Sequence, residues 1–109
     1  MLEVTFRRDS RNRLSSFFAD GHAGFAAEGQ DIVCAAVSAI LLAARLGLES
    51  HAGIKLQVEQ RKGTLAVRWP QVARDNEAVA AIVATAQLAV ARIAQEHPAH
   101  VRCRNEHEA

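Results

Sequence analysis

Strict alternation of apolar and polar residues in three short stretches does most to limit how this chain can fold. Leu2, Val4 and Phe6 alternate with Glu3, Thr5 and Arg7; Ile54, Leu56 and Val58 alternate with Lys55, Gln57 and Glu59; Leu65, Val67 and Trp69 alternate with Ala66 and Arg68. Successive side chains of a strand point to opposite faces, so each stretch predicts a strand with one apolar face. The Asp9, Ser10, Arg11, Asn12 cluster reads as a turn into a second strand over 13–19, and Arg61, Lys62 and Gly63 read as the turn of a second hairpin. Such a sheet needs cover on one side. Two stretches at helical spacing supply it: Ile32, Val33, Ala36, Val37, Ile40, Leu41 and Ala44, with Gly47 as a stop, and Val72, Val79, Ile82, Val83, Ala86, Val90 and Ile93, closed by His97 and Pro98. A last short strand is expected over 99–104. The order β-β-α-β-β-α-β, with hairpins in place of alternating crossovers, predicts an α+β fold: a mostly antiparallel sheet with two helices packed on one face.

Between the second strand and the first helix, Gly21, Gly24 and Gly29 fall within residues 20–29, which hold no sustained periodicity, and a mobile loop is expected there. At 109 residues the chain is expected to form a single domain, 1–109. Four Phe and one Trp are its aromatics, so the core has to come mainly from Ala, Val, Leu and Ile. Thirteen basic against twelve acidic side chains leave a formal charge of +1. That is too little positive charge, too scattered and too poor in stacking aromatics for a direct nucleic-acid platform. Arg7, Arg8, Arg11 and Arg13 read as a solvated hairpin tip, and Trp69 as a core or interface residue. Glu3, Thr5 and Arg7 interrupt any N-terminal signal-like run, and no 18-residue uncharged apolar run occurs, so a cytoplasmic location without membrane attachment is expected. In that compartment Cys34 and Cys103 should both be free thiols.

Asp31 stands just before the apolar periodicity of the first helix, as its natural N-cap, and Cys34 follows in the first turn. The unpaired N–H groups and the helix dipole favour thiolate there, which should lower the thiol below its free pKa of about 8.5. A thiolate attacks carbonyl carbon but needs a proton carrier for the leaving amine. His22, in the glycine-flanked loop leading into the helix, is the nearest candidate. Backbone N–H groups at the helix start could hold an oxyanion, and Ser38, one turn after Cys34, shares its face. Each has a plainer reading: Cys34 as a small apolar residue of a buried helix, Asp31 as a cap only, Ser38 as bonded back to its own helix. His97, His100, Cys103 and His107 resemble a ligand cluster, but a zinc site needs convergent donors and the chain end frays, so no metal is expected.

Gly21, His22, Ala23, Gly24 and Phe25, followed by Asp31, Ile32, Val33, Cys34, Ala35, Ala36, Val37, Ser38 and Ala39, resemble the bacterial ribosomal-processing cysteine proteases. The likeness is most specific over 21–39, and the family's element order fits the whole chain. It implies removal of a short N-terminal extension from large-subunit ribosomal protein twenty-seven. It implies a His22–Cys34 dyad supported by Asp31 and Ser38, a loop over the site hinged at Gly21 and Gly24, a homodimer, and neither metal nor organic cofactor. Cleavage in the family follows an aromatic-rich segment, so a hydrophobic groove is expected beside Cys34. Phe25 stands where the family often has Tyr, and Gln30 where it often has Lys. The rival expectation is a non-enzymatic ribosome-associated or dimeric binding module in which Cys34 is an ordinary thiol.

Overall fold

The computed structural model describes residues 1–21 and 30–108, without the side chains of Gln30 and Asp31. Strands β1 (Leu2–Arg8), β2 (Leu14–Asp20), β3 (Gln57–Arg61), β4 (Thr64–Arg68) and β5 (Val101–His107) form one sheet in the order β3-β4-β2-β1-β5, and helices α1 (Gln30–Leu46) and α2 (Glu77–Glu96) complete the fold. The predicted α+β order holds. The β1–β2, β2–β4 and β3–β4 pairs are antiparallel, but β5 runs parallel to β1, so the sheet is mixed. α2 is the cause: it carries the chain from β4 across to the far side of β1, and a helical crossover returns the next strand in the same direction.

Alternation does what it should. Leu2, Val4 and Phe6 of β1, Phe17 of β2 and Val67 of β4 are buried together, against Val33, Val37 and Leu41 of α1 and Val79, Val83 and Val90 of α2. Phe17 is the aromatic centre, with ring centroids 5.9 Å from Phe6 and 6.1 Å from Trp69. By length and composition α1 with the turn after it, and α2, are each apolar enough to cross a membrane. Each nonetheless contributes a stripe to this core.

Four boundaries differ from expectation for identifiable reasons. Gly47 does not stop the first helix, which runs on through a π-helical turn, Gly47–His51. A Cβ on Gly47 would stand 3.3 Å from Ile82 Cδ1, so the glycine lets α2 approach closely. Val72 is 92% exposed in a short 3₁₀ turn, Gln71–Ala73, and α2 begins only after Asn76, whose side chain accepts the N–H groups of Ala78 (2.8 Å) and Val79 (3.2 Å) as an N-cap. Ile54 and Leu56 pack against the core from the segment before β3. The last strand starts and ends later than 99–104, because residues 98–100 make the turn out of α2.

The turn between β1 and β2 is no solvated tip throughout. Asp9 is buried, and one carboxylate oxygen accepts the backbone N–H groups of Arg11 (2.9 Å) and Arg13 (3.0 Å). The other accepts Arg13 Nε (3.1 Å) and Arg74 Nη1 (3.1 Å), while Arg13 Nη1 reaches Asp75 at 2.9 Å. Arg74 Nη2 also donates to the Trp69 carbonyl (3.1 Å), and Trp69 Nε1 to that of Leu14 (2.9 Å). Burial alone would raise the Asp9 carboxyl, but the backbone N–H of Arg13, the guanidinium groups of Arg74 and Arg13 and the N–H of Arg11 together hold it well below the usual carboxylate range. Nearby, the Arg68 guanidinium likewise holds Glu108 down, against the opposing effect of burial.

Candidate active site

α1 is laid across the sheet by the stripe Val33, Val37, Leu41 and Ala44, all buried. Cys34 is half-buried at the margin of that stripe and packs against the core. Its position in the first turns of α1 keeps it beside backbone N–H groups that have no partner within the helix. The helix begins at Gln30, so Asp31 lies inside the first turn rather than just ahead of it. His22 and Gly24 lie outside the described residues, as does 22–29 of the loop expected over 20–29; Asp20 is the last residue of β2.

Cys34, Ser38, Leu41 and Arg45 follow the spacing i, i+4, i+7, i+11 and therefore share one line along the helix. Ser38, Leu41 and Arg45 line a groove of ≈ 400 Å³ whose opposite wall is the tip of the β3–β4 hairpin, Gln60 to Leu65, with Leu2 and Ala19 at its floor. The groove thus begins one helical turn beyond the Cys34 thiol. Its lining is mainly apolar, with Arg45, Arg61 and Lys62 at the margin. The groove was expected beside Cys34; this one lies along the same helix, and Cys34 is not among its lining residues. A larger open depression, ≈ 760 Å³, lies between Arg7, Ser16, Phe18, Glu59 and Arg68. Among the described residues, no candidate borders it.

Gly21, the last described residue before His22, is tightly held. Its φ is +88°, in the left-handed region that favours glycine, and a Cβ there would meet the Met1 carbonyl oxygen at 2.2 Å. Its N–H donates to the Gly63 carbonyl at 3.1 Å. The expected hinge is therefore packed against backbone on two sides. Structure brings Cys34 and Ser38 together and adds the hairpin tip, which sequence reading treated only as a turn. The available signal was the Lys62–Gly63 pair between two alternating runs, which fixes a tight turn but not what the turn faces.

Cys103, the second thiol, sits on β5 and is pushed up by burial, away from this groove. Among the described residues no group of three or more His, Cys, Asp or Glu side chains could hold a metal ion.

The chain is similar in sequence and fold to known proteins. The model of the family described as cysteine protease Prp matches residues 1–102. The ribosomal processing cysteine protease Prp of Bacillus subtilis (strain 168) is 46% identical over 44 residues, which span 40% of this chain and 39% of that protein's own length. SMU.848 from Streptococcus mutans superposes with a TM-score of 0.86 at 28% identity, covering 99% of this chain and 96% of that one. The ribosomal processing protease Prp from S. aureus, solved with a substrate peptide, gives a TM-score of 0.85 at 20% identity over 96% of this chain and 99% of its own, a likeness of fold.

Proposed function

The chain belongs to the cysteine protease Prp family, and from that premise we propose that it is a cytoplasmic cysteine endopeptidase that removes a short N-terminal extension from large-subunit ribosomal protein twenty-seven during ribosome maturation. The observation that carries this reading is the thiol of Cys34 near the start of α1, in line with a mainly apolar groove one helical turn away.

In the proposed reaction His22 takes the Cys34 proton as sulfur attacks the scissile carbonyl carbon. The tetrahedral oxyanion is held by N–H groups of the first helical turn. The C–N bond breaks as His22 passes the proton to the leaving amine, leaving a thioester on Cys34. Water then attacks the thioester, giving its proton to His22; the C–S bond breaks as His22 passes that proton to sulfur, the product acid departs and the thiol is restored. Asp31 and Ser38 support the dyad, and neither metal nor organic cofactor takes part.

The same reading includes a homodimer. What supports it is an apolar groove of ≈ 460 Å³ between α1 and α2, lined by Ile40, Gly47, Ile82 and Ala89, with Leu42, Leu46 and Leu88 exposed on these helices. Sedimentation equilibrium reads this directly, and a monomer at all concentrations would remove it. For the activity, the protein and its Cys34→Ala variant are incubated with the host's own ribosomal protein twenty-seven and the products weighed. Loss of an N-terminal segment with the wild type alone is expected. An uncut substrate overturns the assignment.

A further inference from the structure

The groove along α1 is electrically one-sided. Arg45, Arg61 and Lys62 stand at its margin, and among the described residues no acidic side chain lines it. The whole chain carries thirteen basic against twelve acidic side chains, so the excess is local. Two of the cations have partners: Arg45 Nε meets Glu49 Oε1 at 3.3 Å, and Arg61 Nη2 meets Glu59 Oε1 at 3.1 Å. Lys62 is exposed and makes no ion pair among the described residues. Its place is fixed by the hairpin. Arg61 pairs with Thr64, which leaves Lys62 and Gly63 as a two-residue turn, and Gly63 takes a φ of +87°. The turn thus presents an unneutralised ammonium group at the margin of a mainly apolar groove.

We propose that this margin is a charge filter for substrate: Lys62, with Arg61 and Arg45 beside the same groove, selects an extended peptide that carries a carboxylate side chain within about five residues of the scissile bond and rejects one with a cation there. The inference rests on the reading of Cys34 as nucleophile, which sets the register. The span follows from the helix. At a rise of about 1.5 Å per residue, Ser38 lies about 6 Å along the axis from Cys34 and Arg45 about 16 Å. An extended peptide advances about 3.3 Å per residue, so its second residue from the cut enters the groove and its fifth reaches the level of Arg45. Apolar side chains settle against Leu2, Ala19 and Leu41, and that burial supplies affinity. Discrimination comes from the margin, where a like charge is repelled and an opposite one is steered in.

The test uses the whole protein and synthetic peptides spanning the host's own cleavage sequence, with Glu, Gln or Lys placed singly at each position in turn on either side of the cut. Wild-type kcat/KM for the Glu peptide is expected to exceed that for the Lys peptide about tenfold at one position, mostly through KM, with Gln between them. The ratio should shrink as sodium chloride is raised, since exposed charges are screened. Lys62→Glu should reverse the order at that position. Equal rates for Glu and Lys at every position in low salt, or a Glu preference that survives Lys62→Glu, overturns the filter. Binding of the same peptides to Cys34→Ala, read by fluorescence anisotropy, keeps the two levels apart. Peptides bound in this order but never cut by the wild type remove the protease reading and leave the groove's preference standing, whereas peptides cut without any charge order remove the filter alone.

Discussion

Opposite ends of the sheet are secured by different chemistry. Where β1 turns into β2, Asp9, Arg13, Arg74 and Asp75 interlock through charged side chains over the buried Trp69. Where β2 ends, the contacts against the groove are made by backbone, Gly21 against Met1 and Gly63 and the Leu2 N–H on the His100 carbonyl at 2.9 Å, while Glu3 pairs with Arg102 and Arg104 between β1 and β5. Charged side chains at the first end fix the fold without any opening beside them that serves the thiol. Backbone contacts at the second leave its side-chain space to the groove. Stability and chemistry are thereby assigned to different ends, as expected when a site needs room that a well-packed core would fill.

Substitutions should respect that division. Cys34→Ala is expected to reduce peptide cleavage about 10⁴-fold or more, while unfolding free energy moves by no more than about 1 kcal/mol; mass spectrometry of products and urea unfolding read the two. Trp69→Ala reverses the pattern, costing about 3–5 kcal/mol of stability while the peptide's KM in the surviving folded fraction stays near wild type. A Trp69→Ala enzyme that kept full stability would show that the charged end is not the structural one. Asn76→Ala, at the start of α2 beside that network, removes an N-cap and should cost about 1 kcal/mol with kcat unchanged.

The finest of these effects is a dependence on pH. The Asp9 carboxyl is held below its unfolded value of about 3.9, so its contribution is complete above that pH and is lost as pH falls toward the depressed folded value. Asp9→Asn lacks this contribution. Melting curves of wild type and variant should therefore differ most above about pH 4 and converge below it. A constant difference down to low pH would mean that the network holds through hydrogen bonds that the charge does not strengthen.

Much of this layout was readable from residue spacing, and the exceptions share a cause. Leu2, Val4 and Phe6 announce a one-sided strand whatever their neighbours, because pleat geometry is local. The direction of β5 is not local: Val101 and Cys103 alternate identically in a parallel or an antiparallel pair, and only the path of α2 decides. Gly47 carries the composition of a helix stop, yet its role is set by Ile82, thirty-five residues on. By sequence Arg13 resembles its exposed neighbours Arg7 and Arg11, but Asp9 and Asp75 enclose it. Likewise Cys34, Ser38 and Leu41 show their common line by spacing alone, whereas the facing hairpin tip belongs to a strand pair with no sequence mark of where it docks.

The parallel pairing of β1 with β5 has a consequence in time. Leu2 to Arg8 lie in register with Val101 to His107, so β1 cannot gain this neighbour until the three intervening strands and both helices have been made. The Leu2 bond to His100 forms at that same late stage, and with it the placement of Met1 against Gly21. A nascent chain that has not yet made β5 therefore holds α1 and its thiol beside an unfinished sheet.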